Sequence, residues 1–516
     1  MKELYKKNKS ILLWILFAGY LIFNGILLSR HELWRDEANV WLLARDTAPW
    51  QLFNEIKYQG HPCLWYLLVM PFAKLGLPFQ TISIISLMIM AAAASIFVKE
   101  APFSMVTKAV CLFSPIFSYY YPVVARNYCL IAVFLILLTY WYPRRHEYSI
   151  LYGLMLGLLV QADTIALWAA GIISVMWLWE GTYNGCRHKN WKTLKTSLKG
   201  LWIPTISFVF LILQLAGVTD SPAYGMNILP PREMLAEIRN FSYYILTRMT
   251  GQGQGFDLLL ILLFLAAGIL LSWKIKNPFP VIVPAGELVY QAVFSIVVYQ
   301  LHIWHYIAIC FTLIWFLWLG CQADNIDELE REVMPAWKLE KKRKWNRWIA
   351  LGGRITAEIL LILLGITMFL RWNYPEEASS LANALHGLYS DGVNTAEYIS
   401  NNIKKEEVII STDVPEASTV LAYLGKGYSF YYAGSGTLES FARYNEVQNR
   451  KIVYDELLSW VKTTFPNADS FYLLKCPNSC ITDIPDEARE NWEICYQTME
   501  ETARGESYVL YRIFLY

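Results

Sequence analysis

Apolar runs near twenty residues long recur along the first 370 residues, and they leave the chain few ways to fold. Coiled as a helix, such a run matches the hydrocarbon thickness of a bilayer, and a helix satisfies its own backbone where no water can. The pattern predicts spans over roughly 11–28, 80–98, 103–122, 126–142, 148–162, 164–180, 200–218, 257–273, 278–299, 303–320 and 350–370. Composition agrees: 55% of the 516 residues are hydrophobic and 17% are charged, more apolar than a soluble chain of this length. The 21 Trp and 33 Tyr suit interfacial belts. A net charge of +1 gives no pull toward nucleic acid, so no such partner is expected. Ile11–Leu28 is too long for a signal-peptide core and no small-residue cleavage site follows it, so it reads as an anchor that stays.

Basic residues then set the orientation. Lys2, Lys6, Lys7 and Lys9 precede the first span, and later groups such as Arg144 with Arg145 and Lys338 through Arg347 fall on the same side when Cys63–Phe79 does not cross. That stretch is short and broken by Pro71, Lys74 and Gly76, which points to a re-entrant or surface-lying helix at the outer face. The expected arrangement is a polytopic α-helical membrane domain over 1–370, with about eleven spans, a cytoplasmic N-terminus and an extracytoplasmic α/β domain over 371–516. Short apolar stretches such as Val408–Thr412 and Phe471–Leu474, alternating with helical patterns, carry the α/β assignment. Cys476 and Cys480 in that tail suit either a disulfide or two thiols.

The polar residues able to do chemistry gather on the outer face. Asp36 and Glu37 follow the first span; a carboxylate there can take a proton as general base, or simply cap the helix that begins beside it. Arg35 adjoins them. Arg126 and Asn127 sit at a junction between two apolar runs, where an arginine either snorkels to the interface or clamps a phosphate. His61 lies in the turn Gly60-His61-Pro62, and Asp163 interrupts two runs as a hairpin tip or a pocket residue. His302, His305 and Tyr306 open a late span, with the two histidines expected on one helix face. Two histidines alone hold a metal weakly; a divalent metal would need a third ligand such as Asp36 or Asp163. Gly251 through Gly255 lack the Lys-Ser/Thr ending of a P-loop.

Arg35-Asp36-Glu37-Ala38, Gly60-His61-Pro62 and Ala125-Arg126-Asn127-Tyr128, in that order and on one face, resemble the outer loops of GT-C-fold glycosyltransferases. The likeness is to the protein mannosyltransferase and lipid A aminoarabinose transferase branch. It implies a GT-C-like membrane domain that moves a sugar from a polyprenyl-phosphate-linked donor to a lipid, glycan or protein acceptor, with inversion. It implies Asp36 as the essential acidic residue, acting as general base, with Glu37 as runner-up. Arg126, His302, His305 and Tyr306 would hold the donor phosphate, and Arg35, His61, Asn127 and Asp163 would line the substrate pocket. Relatives commonly carry Arg-Tyr where this chain has His305-Tyr306. The alternatives are a glycan polymerase or ligase using a diphosphate-linked donor, and a transporter working through Glu287 or Glu358 within spans.

Overall fold

The structure is a computed structural model that describes residues 2–189, 191–217, 229–275, 277, 279–322, 336–374, 379–448 and 450–515. Among these, eight helices are long and apolar enough to cross a membrane: Ser10–Leu28, Thr81–Glu100, Thr164–Arg187, Trp191–Leu215, Gly255–Ile275, Phe279–Val297, Ile303–Gln322 and Arg347–Trp372. Each contains most of one expected span; residues 218 and 278, at the edges of two, lie outside the described residues. Their outer sides carry exposed Trp, Ile, Leu and Phe, which is where lipid is the solvent. The chain is a multi-pass membrane protein.

Three expected spans differ. Residues 126–142 and 148–162 do form helices, Tyr128–Trp141 and Ser149–Val160, but of 14 and 12 residues. Both are shorter than the roughly 20 residues of a typical straight span, so neither counts among the eight. The run 103–122 is not one helix. It coils only over Met105–Leu112 and then breaks into turns as far as Arg126. Pro115 and Pro122 supply no amide hydrogen to a helical ladder, and Tyr119 sits in the left-handed region with φ 68°. An irregular backbone at this depth needs partners from the helices around it. Tyr20 Oη donates to the Phe117 carbonyl, Asn24 Oδ1 accepts the Tyr119 amide, and Ser86 Oγ donates to the Tyr121 carbonyl. The full-length spanning helices among the described residues therefore number eight rather than eleven.

The stretch after Gly60-His61-Pro62 forms the helix Leu64–Lys74, with Pro71 inside it. Its 11 residues reach only about 16 Å at 1.5 Å per residue, half the hydrocarbon thickness. It packs beside the helix Arg35–Asp46.

Beyond the last long helix lies a mixed sheet. Its strands are β1 (Ile409–Ser411), β2 (Phe430–Tyr432), β3 (Thr437–Glu439), β4 (Ile452–Val453), β5 (Ser470–Lys475), β6 (Ile481–Thr482), β7 (Trp492–Gln497) and β8 (Val509–Phe514). The main sheet runs β3-β2-β1-β5-β8-β7, with β1 parallel to both β2 and β5 and the outer pairs antiparallel. Strands β4 and β6 pair separately. Helices Gly392–Asn402, Val414–Leu424 and Tyr454–Thr464 complete the α/β tail. Cys476 and Cys480 are both unbridged thiols.

The tail is fastened to the first loop of the membrane half by buried polar groups. Asn39 Oδ1 accepts the Ala442 amide at 2.7 Å, and Gln59 Nε2 donates to the Ala442 carbonyl at 2.7 Å. Asn39 Nδ2 donates to Gln59 Oε1 at 2.6 Å, closing the clamp. Arg443 reaches Glu55 at 2.7 Å, and the Arg504 guanidinium lies 4.6 Å above the Trp34 ring.

Candidate active site

The helix Arg35–Asp46 begins where the first loop meets the broken segment 113–126, and one carboxylate joins the two. Glu37 is fully buried. Its Oε1 accepts the Ala125 amide at 2.6 Å, and its Oε2 accepts the Trp34 amide at 3.1 Å and His31 Nε2–H at 3.2 Å. These bonds tie it to backbone and to His31, and it stays outside the cavity described below. Glu37 thus holds the Arg126 junction against the helix start, which puts Arg126 beside Asp36.

Arg126 Nη1 lies 3.0 Å from Asp36 Oδ2 and 3.1 Å from the Asp36 carbonyl. Its Nη2 lies 3.0 Å from His61 Nε2. A guanidinium has no lone pair to offer, so Nε2 accepts and the His61 proton sits on Nδ1. That proton goes to Asp163 Oδ2, 3.1 Å away. Asp163 is fully buried and also accepts from Asn127 Nδ2 at 2.6 Å and the Ile165 amide at 2.9 Å. Burial alone would raise the Asp163 carboxyl; His61 beside it and the Ile165 amide outweigh that and hold it below its ordinary range. The four side chains form one line, Asp163–His61–Arg126–Asp36. Only the Asp36 end is substantially open, at 28% side-chain exposure.

That end opens into a cavity of about 730 Å³. Six of the residues singled out in the sequence line it: Arg35, Asp36, His61, Arg126, Asp163 and His305. Four do not. Glu37 and Asn127 stand behind the wall, while His302 and Tyr306 line a smaller neighbouring pocket. His302 precedes the helix Ile303–Gln322 instead of sharing its face with His305, although the two rings lie 6.1 Å apart. His305 Nδ1 accepts the His302 amide at 2.8 Å, so its proton lies on Nε2, which meets Tyr128 Oη at 2.9 Å. A neutral imidazole so engaged supplies a hydrogen-bonding wall and no formal charge. The cationic groups of the cavity are Arg35, Lys57 and Arg126.

Lys57, Tyr66, Tyr299 and Trp304 also line the cavity, as do Asp413, Tyr444 and Asn478 from the tail. Asp413 follows β1 and caps the helix Val414–Leu424 by accepting the Glu416 amide at 2.9 Å. Asn478 follows β5. Both therefore stand past the carboxyl ends of adjacent parallel strands, where open α/β sheets take ligands. The run Ile409 through Pro415, a short strand followed by Asp and Pro, is the local pattern that could have marked Asp413 as a strand-end residue, though not its place in the cavity. Arg35 spans the seam between halves: its Nη1 reaches Glu416 at 3.2 Å and its amide donates to Glu506 Oε1 at 3.1 Å. Burial pushes Asp413 up to about 6 and both Glu416 and Glu506 up to about 7.

A divalent metal at the two histidines does not fit this geometry. Both ring nitrogens of His305 are engaged, and among the described residues no three His, Cys, Asp or Glu side chains converge to hold an ion. The carboxylates Glu287 and Glu358, considered for transport, have local partners: Glu287 Oε1 accepts from Gln291 Nε2 at 2.9 Å, and Glu358 accepts the Ser104 amide at 3.2 Å.

No family model matches the chain, and no curated protein does. Two crystal structures of ArnT from Cupriavidus metallidurans are similar to it. The one bound to undecaprenyl phosphate has a TM-score of 0.45 and 12% identity, over 96% of this chain and 97% of that one. The apo structure has a TM-score of 0.44 and 11% identity, over 97% of this chain and 98% of that one.

Proposed function

We propose that the protein is a glycosyltransferase that moves a sugar from a polyprenyl-phosphate-linked donor to an acceptor hydroxyl at the extracytoplasmic membrane face. The observation that carries this is the Asp36–Arg126 pair, held 3.0 Å apart at the open end of a buried polar line, in a cavity roofed by the α/β tail. A lipid-borne substrate needs its reacting end in such a cavity while its tail stays in hydrocarbon. The reading agrees with the motif resemblance, and it puts the N-terminus in the cytoplasm and the tail outside; that takes an odd number of crossings, supplied when the broken run 103–126 and the two short helices complete three beside the eight long ones.

The chemistry asks little of an acid. Phosphate is already a good leaving group, so the donor needs positive charge where negative charge gathers as the bond breaks. Arg126, with Lys57 and Arg35 in the same cavity, supplies it. The acceptor oxygen attacks the anomeric carbon, the carbon–oxygen bond to phosphate breaks, polyprenyl phosphate departs with the electron pair, and the hydroxyl proton passes to the Asp36 carboxylate. One displacement inverts the anomeric centre. Arg126 has two tasks in this scheme, and an incoming phosphate competes with Asp36 for it, which frees the carboxylate as the donor arrives. His61 keeps the guanidinium in plane and is itself oriented by Asp163.

The test is release of polyprenyl phosphate from a radiolabelled polyprenyl-phosphate hexose or pentose by purified protein in lipid, with candidate acceptors present. Asp36→Asn should lose roughly 10²–10⁴-fold in rate, the usual worth of a positioned base. Full activity in that variant at normal expression removes Asp36 from the role. Turnover of diphosphate-linked donors alone would instead make the protein a polymerase or ligase.

A further inference from the structure

The reaction proposed for the main cavity uses the wall that the membrane half supplies and gives the roof no part. Asp413 and Asn478 stand in that roof, on the loops after β1 and β5, which are neighbours in the sheet. The two loops are pinned to each other. The Thr412 amide donates to the Leu474 carbonyl at 3.1 Å, Thr412 Oγ1 accepts the Cys476 amide at 2.9 Å, and the Thr412 carbonyl accepts the Cys480 amide at 3.0 Å. Asp413 and Asn478 are therefore carried on a fixed frame.

Each side chain commits one of its two polar atoms to that frame. Asp413 Oδ2 caps the helix Val414–Leu424 through the Glu416 amide. Asn478 Nδ2 donates to Glu416 Oε1 at 2.8 Å, and the Asn478 backbone amide donates to Glu416 Oε2 at 3.0 Å. Arg35, from the membrane half, reaches the same Glu416 Oε1 at 3.2 Å. These bonds set which way each side chain faces, and they leave one oxygen on each. Among the described residues nothing donates to Asp413 Oδ1 or to Asn478 Oδ1. Both are pure acceptors, so a ligand that meets them brings hydrogen-bond donors. Arg35, Lys57 and Arg126 share the cavity and repel a cationic donor such as an ammonium. The Asp413 carboxylate repels a phosphate in turn. Neutral hydroxyls remain, and a sugar ring carries several on adjacent carbons. With its carboxyl pushed up only to about 6 by burial, Asp413 is mostly ionised at neutral pH and accepts more strongly than a neutral oxygen.

We propose that Asp413 and Asn478 form a subsite for sugar hydroxyls in the roof of the cavity, with the phosphate left to Arg126. The hydroxyls belong to the donor's sugar or to a carbohydrate acceptor, which offer the same chemistry. The subsite rests on the sugar-transfer reading of this cavity and adds the residues that select the sugar.

Asp413→Asn is the sharper variant, because asparagine keeps an oxygen for the cap and turns an NH2 toward the cavity, a donor in place of an acceptor. Asp413→Ser, another capping residue, removes the cavity-facing oxygen and serves if the first variant does not fold. Full-length protein in nanodiscs is offered polyprenyl phosphate, then polyprenyl-phosphate hexose and pentose, with binding read by native mass spectrometry. A panel of methyl hexosides and pentosides, added in the presence of polyprenyl phosphate, is read by saturation-transfer NMR. Polyprenyl phosphate should bind the variants as it binds wild type. Sugar binding should weaken about tenfold or more, the loss of one hydrogen bond to a charged acceptor. A loss confined to the sugar-bearing lipids assigns the subsite to the donor, and a loss confined to the methyl glycosides assigns it to a carbohydrate acceptor; either supports the proposal. Sugar binding unchanged in both variants, an equal loss for lipids with and without sugar, or wild-type protein that binds no sugar probe overturns it. Wild-type protein that binds none of the lipids, yet loses glycosides on Asp413→Asn, overturns the transfer reading and leaves the subsite standing.

Discussion

Glu37→Gln separates positioning from chemistry at the neighbouring carboxylates. The native side chain accepts from three donors, the Ala125 amide on Oε1 and the Trp34 amide and His31 Nε2 on Oε2, with no exposure to solvent. A glutamine has one oxygen and one NH2 in place of the two oxygens. Its better orientation keeps the oxygen on Ala125 and turns the NH2 toward Trp34 and His31. His31 can adapt, because its Nδ1 has no partner and can take the proton while Nε2 accepts. The Trp34 amide cannot adapt. It loses a bond to a charged acceptor and stays buried, a loss of about 2–4 kcal/mol for one such bond with its desolvation. The expected variant is therefore clearly less heat-resistant in detergent, with activity reduced in proportion to folded protein. Stabilising lipid or low temperature should restore most of the rate. Thermal inactivation half-lives and specific activity per folded molecule, measured beside Asp36→Asn, read the two effects apart. A Glu37→Gln protein with wild-type stability and no turnover would refute the reasoning and make Glu37 the base.

Three other outcomes follow from the same geometry. Arg126→Lys should fold normally yet lose roughly 10²–10³-fold in transfer, because an ammonium cannot span Asp36 and His61 together; near-normal kcat would remove the guanidinium from the mechanism. Asn39→Leu breaks the bond to the Ala442 amide and the Asn39–Gln59 bond that closes the clamp, and should loosen the tail by about 2–3 kcal/mol, seen as faster proteolysis within 379–448 or faster amide exchange there; unchanged protection would show those bonds are dispensable. Glu506 and Glu416 bind protons more readily folded, near 7, than as ordinary glutamates near 4.5. Stability of the tail should therefore fall as pH rises from about 4.5 to 7. Glu506→Gln should flatten that slope, and a slope of the opposite sign would contradict it.

The legible parts of the fold and site were those set by local pattern. Runs of full length became long helices because bilayer thickness and helical rise leave no alternative. Proline marked where that logic stops, and Pro115 with Pro122 explains why 103–122 became a break. The run was still apolar because the turns are buried among neighbouring helices. At the site, Asp36, His61 and Arg126 stood in recognisable turns and do meet. Asp163 was the ambiguous one, since a hairpin tip and a buried anchor for His61 have the same local sequence. The expectation that His302 and His305 share a helix face turned on an i, i+3 spacing that holds only inside a helix, and the helix starts at Ile303. The tail's share of the cavity could not be read from pattern, because which loops of the tail face the membrane half is decided by docking bonds such as those at Ala442, far from both partners in sequence.

That docking divides labour in a way with consequences for how the protein changes over time. The groups proposed for bond-breaking stand at the start of the helix Arg35–Asp46 and at the Arg126 junction, where Asp36, Arg126, His61 and Asp163 hold one another in place and a substitution disturbs the whole line. The roof, Asp413, Tyr444 and Asn478, stands on loops of the α/β tail, which accept replacement far more freely. Selectivity for a new acceptor could then be acquired by remodelling those loops while the reaction machinery below is left alone. Exchanging the roof loops between related chains would be the direct way to redirect the product without rebuilding the catalyst.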